Sequence, residues 1–198
     1  MSKRTATQDK ILHTALELFS SEGYYQTTTK RIAEVAKVNE VTIFRNFGTK
    51  ENLFQQVTEQ YVLELNIDEE MNDLIADDFD QTITNISRRY LELCFKSERL
   101  YKIQLRLSDS EEEFVRLKLT RDYIRSCELY FQKLKEEKII KGDPLVMSCS
   151  LIEGILGSFT VFVLTDKNFM GVNINDLVDE QAKQFAGFYK LDDGGKNE

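Results

Sequence analysis

The residues with the greatest capacity for chemistry lie between Thr27 and Lys50, where polar and cationic side chains recur at helical spacing. Thr28 can cap a first helix and Asn39 a second, because their side-chain oxygens accept hydrogen bonds from the free amides of a first turn. In the second helix, Ile43 and Phe47 are four residues apart and should face inward. The side chains left to point outward or sideways are Glu40, Val41, Thr42, Phe44, Arg45 and Asn46.

Two short helices joined by a tight turn form a helix-turn-helix, whose second helix has the right diameter for the major groove of DNA. In that groove Lys or Arg can bind guanine, Glu can accept a hydrogen bond from cytosine, and a Thr methyl can contact a thymine methyl. The pattern alone is a weak signal, because short amphipathic helices across a turn also occur in helical cores with no DNA partner.

Beyond this pattern, residues 8–55 resemble the TetR family of transcriptional regulators. The residues that match the family in type and spacing are Ile11-Leu12, Ala15-Leu16, Leu18-Phe19, Gly23-Tyr24, Thr27-Thr28, Ile32-Ala33, Ala36, Val38, Thr42-Ile43, Phe47 and Lys50-Glu51. The resemblance implies phosphate contacts by Thr28, Thr29, Asn46 and Lys50. It also implies contacts with bases or backbone by Lys30, Glu40, Val41, Thr42 and Arg45.

Three residues depart from the family's usual pattern. Lys37 replaces a glycine in the turn and is expected at positive φ, at a cost of about 1 kcal/mol. Phe44 replaces a tyrosine at a DNA-contacting position, so it cannot donate a hydroxyl hydrogen bond, and Val41 replaces a smaller residue. Glu40 has two interpretations, base recognition or a first-turn carboxylate facing the helix dipole.

The net charge of the 198 residues is −8, but the charge is unevenly distributed. Residues 1–54 contain eight Lys or Arg against six Asp or Glu, and the remainder contains 18 against 28. A local basic surface is sufficient for electrostatic contact with DNA. Residues 1–14 lack the apolar core of a signal peptide, and the apolar run 145–164 contains Glu153, three serines and two glycines. We therefore expect a cytoplasmic protein with no membrane association.

The sequence offers no catalytic or metal-binding constellation. His13 is the single histidine, and Cys94, Cys127 and Cys149 are too widely spaced for a zinc or redox motif. We predict reduced thiols packed in helices, no metal, no cofactor and no enzymatic activity.

Helical periodicity along the whole chain, with one proline, predicts an all-α fold of about nine helices. We expect a three-helix DNA-binding domain at residues 1–50, a larger helical ligand-binding and dimerisation domain at 51–191, and a disordered tail at 192–198. The fourth helix, beginning near Lys50, should connect the two domains. The acidic stretch 66–80 is expected to be a frayed helix end and connection. Gly142-Asp143-Pro144 should supply the stop, the cap and the first-turn proline at the start of the following helix.

The larger domain is rich in aromatic and sulfur side chains on several helices. The resemblance implies a small-molecule pocket there, although side chains at helical spacing are more often plain core. The candidate pocket residues are Tyr90, Cys94, Tyr101, Phe114, Tyr123, Cys127, Tyr130 and Phe159.

The last two helices carry more apolar surface than one small body can cover, which predicts a homodimer with two helices from each subunit at the interface. The predicted interface residues are Leu145, Ile152, Ile155, Leu156, Phe159, Phe162, Leu177, Val178 and Phe185.

Two functional hypotheses follow from these patterns. The first is a repressor that binds a palindromic double-stranded DNA operator and is released by a small, mostly apolar effector. The second is a DNA-bound protein of the same family whose body docks a protein partner and senses no small molecule. An internal cavity would favour the first, and a solid body with an exposed apolar patch the second.

Overall fold

The computed structural model describes residues 5–61, 67–106, 118–165 and 171–191. Within these ranges the chain is helical apart from turns and one isolated antiparallel bridge between Ile140 and Lys190, which confirms the predicted all-α class. The ten described helices are α1 (Ala6–Glu22), α2 (Thr29–Ala36), α3 (Glu40–Phe47), α4 (Lys50–Tyr61), α5 (Ile67–Leu74), α6 (Phe79–Lys96), α7 (Glu98–Arg106), α8 (Lys118–Glu136), α9 (Pro144–Leu164) and α10 (Ile174–Tyr189).

The chain divides into two compact units. The first comprises residues 1–64 and 96–116, and so combines α1 to α4 with α7. The second comprises residues 65–95 and 117–198, with α5, α6 and α8 to α10. The functional boundary at residue 50 stays a prediction, while the packing units assign α4 and α7 to the first unit. The tail at 192–198 lies outside the described residues.

Local signals account for the helix ends in both units. Thr5 and Gln8 form a reciprocal capping box at the start of α1, and Gly23 ends that helix. The predicted sequence of stop, cap and proline before α9 is confirmed, since the Asp143 carboxylate accepts from the Val146 amide at 3.0 Å. Gly142 precedes this cap at φ 113°, and a Cβ there would lie 2.9 Å from the Tyr189 ring. Glycine suits this turn for two reasons: it adopts the positive φ without strain, and it leaves room for the Tyr189 ring.

The core of the first unit is built from apolar stripes on α1 to α4. Phe19, Tyr24 and Phe54 form an aromatic cluster with ring centroids 4.8 to 5.5 Å apart. Leu100 and Ile103 of α7 are buried in the same core, and α7 packs against α1. A helix from the middle of the sequence, α7, therefore completes the core of the first unit by packing against α1.

One short helix was not predicted. The acidic stretch from 66 to 80 was expected to be a frayed helix end and connection, but it contains α5. Ile67 and Met71, four residues apart, are both buried, and α5 packs against α8. The expectation was wrong because two apolar residues at helical spacing are enough when a neighbouring helix receives them.

In the second unit, α9 packs against α8 and α10. By length and a mean hydropathy of 1.8, α9 is the one helix in the described ranges that could cross a membrane, and 39% of its apolar window is buried. Core helices of soluble proteins also meet this criterion. Here the buried residues of α9, including Met147, Leu151, Ile152 and Phe159, form part of the core.

Candidate nucleic-acid interface

The first element of the candidate interface is the start of α2. Thr28 is its N-cap, and the Thr28 hydroxyl accepts a hydrogen bond from the Arg31 amide at 3.0 Å. Thr28 and Lys30 are exposed, and Thr29 is partly exposed. The positive end of a helix dipole and its free amides favour an anion at this position, so the geometry suits a phosphate.

The turn between α2 and α3 passes through Lys37. This residue has φ 54° and ψ 47°, which confirms the predicted positive φ. Its amide donates back to α2, and the Val38 amide donates to the Ala33 carbonyl at 3.0 Å. Asn39 then caps α3 by accepting from the Val41 amide at 2.9 Å. The two helices are thus joined by a tight turn whose polar groups are satisfied locally.

The orientation of α3 agrees with the sequence pattern. Ile43 and Phe47 are buried, whereas Arg45 is exposed, Val41 is 70% exposed and Phe44 is 48% exposed. The ten predicted DNA-binding residues are all exposed or partly exposed in the structure. An exposed valine and phenylalanine beside an arginine can supply apolar contacts to thymine methyl groups and a charged contact to a base or phosphate.

Glu40 makes a contact that was not predicted from the sequence. The Thr29 hydroxyl donates a hydrogen bond to the Glu40 carboxylate at 2.6 Å, joining the first residues of α2 and α3. Both residues are predicted DNA contacts, so a carboxylate stands beside a predicted phosphate contact. The residues are eleven positions apart, and no local spacing rule connects them. Glu40 therefore has a third interpretation besides base recognition and the helix dipole.

Asparagine side chains stabilise the far end of α3. Asn46, a predicted phosphate contact, donates from its side-chain amide to the Thr42 carbonyl at 2.6 Å. Asn52 donates to the Phe47 carbonyl at 2.7 Å, while its backbone amide donates to the Thr49 hydroxyl at 3.1 Å. Asn52 was not predicted as a site residue. The capping spacing from Thr49 to Asn52 is the signal that could have identified it.

Lys50, at the start of α4, lies over an aromatic ring. Its ammonium nitrogen is 4.3 Å from the centroid of the Tyr24 ring, within range of a cation–π interaction. Burial lowers the pKa of Lys50 from its ordinary value, and the neighbouring Glu51 carboxylate opposes that change. Tyr24 is among the residues that match the family, but it was not a predicted site residue.

The basic surface predicted for the first unit is partly neutralised. Arg31 forms an ion pair with Glu22 at 3.4 Å. Lys30, Lys37 and Arg45 are exposed, and in the described ranges they form no ion pair. Lys3 and Arg4 lie outside the described residues. Besides Lys50 at the start of α4, the cations available to DNA therefore lie on α2, the turn and α3.

The aromatic candidates for a ligand pocket are mostly core residues in the second unit. Tyr90, Cys94, Tyr123, Cys127 and Phe159 are buried. The Tyr90 and Tyr123 rings are 5.0 Å apart; the Tyr90 hydroxyl lies 2.9 Å from the Thr120 hydroxyl, and the Tyr123 hydroxyl donates to Glu70 at 3.0 Å. Glu70 also pairs with Arg89. These rings are therefore packed against each other and held by a polar network.

The remaining pocket candidates are separated by the structure. Tyr101 belongs to the first unit, and Phe114 lies outside the described residues. Tyr130 lines a cleft of about 520 Å³ in the second unit, together with Met71, Ile75, Phe79, Leu129 and Ile139. None of these neighbours was a predicted pocket residue. The structure thus brings together a different set of apolar side chains from the one predicted.

The predicted dimer residues divide into buried and accessible side chains. Ile152, Ile155, Phe159 and Val178 are buried within the second unit's own core, so one chain already covers them. Leu145 is exposed, and Leu156, Phe162, Leu177 and Phe185 are partly exposed. Val161, Phe162 and Leu177 line a mainly apolar groove of about 290 Å³ on α9 and α10. The available apolar surface also includes Val146, Leu164 and Phe188, which were not predicted.

The cysteines are free thiols, as predicted. Burial raises the pKa of both Cys94 and Cys127 to about 12, so both are protonated at neutral pH. The described ranges contain no group of three or more His, Cys, Asp or Glu side chains suited to a metal.

Comparison with known proteins identifies the first unit. Residues 11–57 match the family model described as bacterial regulatory proteins, tetR family. The chain is 47% identical over 55 residues to the uncharacterized HTH-type transcriptional regulator YvkB of Bacillus subtilis, covering 28% of this chain and 29% of that protein. The chain therefore aligns with less than a third of this relative.

Longer but weaker similarities extend into the second unit. The nucleoid occlusion factor SlmA of Aliivibrio fischeri is 27% identical over 169 residues, covering 80% of this chain and 85% of that protein. The solved SmeT–triclosan complex has a TM-score of 0.63 at 20% identity, covering 98% of each chain, and it shares the fold. Residues 11–57, which contain the helix-turn-helix, therefore match the tetR family of bacterial regulatory proteins, and the all-helical body shares its fold with solved structures.

Proposed function

We propose that this protein is a cytoplasmic DNA-binding transcriptional regulator that acts as a repressor on a palindromic operator. The observation that carries the proposal is the surface formed by α2, the turn at Lys37 and α3. It combines two helix N-termini with exposed cations at Lys30, Lys37 and Arg45. Helix N-termini bind phosphates, and an exposed second helix reads the major groove.

A homodimer would present two such surfaces to successive major grooves, about 34 to 36 Å apart. The exposed part of α9 and α10 supports this arrangement, because it contains a mainly apolar groove lined by Val161, Phe162 and Leu177. Large apolar surfaces on soluble chains commonly mark interfaces. The proposed interface therefore uses the outer side chains of these helices and not the four buried ones.

The dimer is tested by introducing a charge into the groove. Val161→Glu should lower the mass measured by light scattering at micromolar concentration from that of a dimer to that of a monomer. Leu129→Glu places the same charge at an exposed apolar position on α8 and should leave the mass unchanged. A dimeric mass for Val161→Glu, or a monomeric wild type, would count against this interface.

The repressor hypothesis includes release by a small molecule. The SmeT complex with triclosan supports a ligand-responsive function, and the 520 Å³ cleft lined by Tyr130 offers a volume within the usual range of small-molecule sites. Release requires only that the effector prefer a conformer that binds DNA poorly. A coupling of about 1 to 3 kcal/mol would weaken operator binding roughly 5- to 150-fold.

The second candidate function is docking of a protein partner without a small-molecule effector. Three exposed apolar side chains, Ile75, Leu129 and Ile139, line the same cleft. The similarity to SlmA, described as a nucleoid occlusion factor, adds a relative whose description does not mention transcription. An exposed apolar patch favours a protein partner, whereas an enclosed cavity would favour a small molecule.

One experiment separates DNA binding from the details of regulation. Operator DNA is first selected from a random duplex library with wild-type protein, and affinity is then measured by fluorescence anisotropy. Replacing Thr42, Arg45 and Lys50 together with Ala should abolish operator binding while leaving the helical circular dichroism signal intact. Unchanged operator affinity in this variant would refute the assignment of the interface.

The effector is then sought by thermal-shift screening against the wild-type protein. By linkage, a true effector must weaken operator binding by the same factor by which operator weakens effector binding. A compound that binds without changing operator affinity would argue against release and favour the docking function.

A further inference from the structure

Tyr24 contacts two charged residues at the start of α4. The Lys50 ammonium lies 4.3 Å from the centroid of the Tyr24 ring, and the Tyr24 hydroxyl donates a hydrogen bond to the Glu51 carboxylate. The pKa of Glu51 is lowered by its own backbone amide, by the Thr49 hydroxyl and by Tyr24, and burial opposes this lowering. One aromatic side chain therefore engages both the cation and the anion that open this helix.

The ring itself is held by its neighbours. Its centroid is 4.8 Å from that of Phe54, 5.4 Å from Phe19 and 5.3 Å from Tyr25. Phe19 and Phe54 are buried, whereas Tyr24 is only partly buried and contacts Lys50. A rigid ring at the edge of the core can thus restrain a long flexible side chain at the surface.

Restraining Lys50 matters because a free lysine side chain loses rotamer entropy when it is fixed against a ligand. A lysine already held over a ring has lost part of that freedom before DNA arrives. Partial burial also strips water from the ammonium, and charges interact more strongly where the local dielectric is lower. Both effects favour phosphate binding by Lys50.

We propose that Tyr24 is a positioning residue for DNA binding: its ring presents the Lys50 ammonium to a phosphate, and its hydroxyl engages the adjacent Glu51 carboxylate. The inference rests on the proposed function, in which Lys50 contacts the DNA backbone. Tyr24 is not one of the ten predicted DNA-binding residues. A purely structural role for Tyr24 would need only its packing against Phe19 and Phe54.

The test changes the electronics of the ring and keeps its shape. Full-length protein is prepared with Tyr24→Phe and with pentafluorophenylalanine at position 24, since fluorination reverses the ring quadrupole that attracts a cation. Each is combined with Lys50 and with Lys50→Met. Affinity is measured by fluorescence anisotropy on a random-sequence duplex at about 50 mM salt, because phosphate contacts do not depend on base sequence.

With Lys50 present, we expect the fluorinated ring to bind DNA about two- to fivefold more weakly than the Phe variant. In the Lys50→Met background the fluorinated variant and the Phe variant should bind DNA with equal affinity. Equal affinities with Lys50 present, or the same loss in both backgrounds, would overturn the proposal. The Phe variant also isolates the hydroxyl, whose removal leaves the ring contact in place.

A measurement on the protein without DNA separates this inference from the proposed function. The ε-methylene protons of Lys50 should show an upfield ring-current shift by NMR in the wild type and in Tyr24→Phe, and the shift should disappear with the fluorinated ring. An unshifted wild-type resonance would refute the contact itself. A shifted resonance in a wild type that binds no duplex would refute DNA binding, and the positioning role with it, while leaving the contact established.

Discussion

The two units use their distinctive side chains in opposite ways. In the first unit, the residues singled out from sequence lie at the surface around two helix N-termini, and their contacts are mostly short-range caps. In the second unit, the aromatic and sulfur side chains singled out from sequence are mostly buried, with Tyr90, Tyr123 and Phe159 among its largest fully buried residues. Polar residues at helix starts were correctly predicted to be exposed. The spacing of aromatic residues along a helix, by contrast, did not show whether they line a pocket or fill the core.

The same contrast applies to polar contacts. Around α2 and α3, the Thr28 and Asn39 caps each bond an amide two or three residues away. In the second unit, Tyr123 reaches Glu70 across 53 residues. Burial of a hydroxyl without such a partner would be unfavourable by roughly 1 to 3 kcal/mol. The second unit therefore depends on long-range pairing that sequence spacing does not reveal.

The largest expected effect tests whether Phe159 is core or pocket wall. Phe159→Ala should lower the free energy of unfolding by about 3 to 5 kcal/mol, because it leaves a cavity in a close-packed interior. Chemical denaturation measures the change. Phe188→Ala, which removes the same side chain from a 66% exposed position, is the control.

For Phe188→Ala we expect a change in unfolding free energy within about 0.5 kcal/mol under conditions where the protein is monomeric. A loss below about 1 kcal/mol for Phe159→Ala would indicate a site with empty space beside the ring, as a pocket would have. That result would restore Phe159 as a ligand contact.

The next prediction concerns Lys50. Lys50→Ala should weaken binding to random and operator duplexes alike, by roughly tenfold, and should lower the slope of log affinity against log salt by about one, since one phosphate contact is lost. Anisotropy titrations at several salt concentrations provide both values. An unchanged salt slope would mean that Lys50 does not contact phosphate.

A smaller effect is expected at Glu40, whose carboxylate accepts from Thr29. Glu40→Gln removes a negative charge beside a predicted phosphate contact and retains an acceptor for the hydroxyl. Affinity for a random-sequence duplex should rise about two- to fivefold, by an amount that declines with salt. Binding measured at two salt concentrations tests this expectation.

Glu59→Gln is the matched control for Glu40→Gln. It makes the same charge change nine residues beyond Lys50, about 13 Å along α4, farther than one Debye length at 0.1 M salt. This variant should leave affinity nearly unchanged. If both substitutions raise affinity equally, the increase comes from the change in the protein's net charge and not from the position of Glu40 beside the DNA.

The smallest predicted effect is at Lys37, the left-handed residue in the turn. Lys37→Gly should raise the free energy of unfolding by about 0.5 to 1 kcal/mol, because glycine adopts positive φ without the steric penalty of a Cβ. Thermal or chemical denaturation measures the difference. Lys10→Gly, in the middle of α1, should have the opposite sign, with a loss of about 1 kcal/mol. Destabilisation by Lys37→Gly would show that the lysine side chain makes a contact that outweighs the strain.

The sequence by itself determined the features that depend on residues within about one helical turn of each other. The helix class, the caps at Thr28, Asn39 and Asp143, and the positive φ at Lys37 are all confirmed. Each follows from an amide, an oxygen or a Cβ only a few positions away, so the local sequence contains the whole interaction. The inward positions of Ile43 and Phe47 follow from helical periodicity in the same way.

Only the tertiary structure decided which elements meet. It placed α7 on α1, made a helix of α5 against α8, buried Phe159 and Val178, and brought Thr29 to Glu40 and Lys50 to Tyr24. These outcomes depend on where helices cross and on which of several apolar faces finds a partner. Many apolar faces are compatible with one periodic pattern, and the choice among them is made by packing across the whole unit.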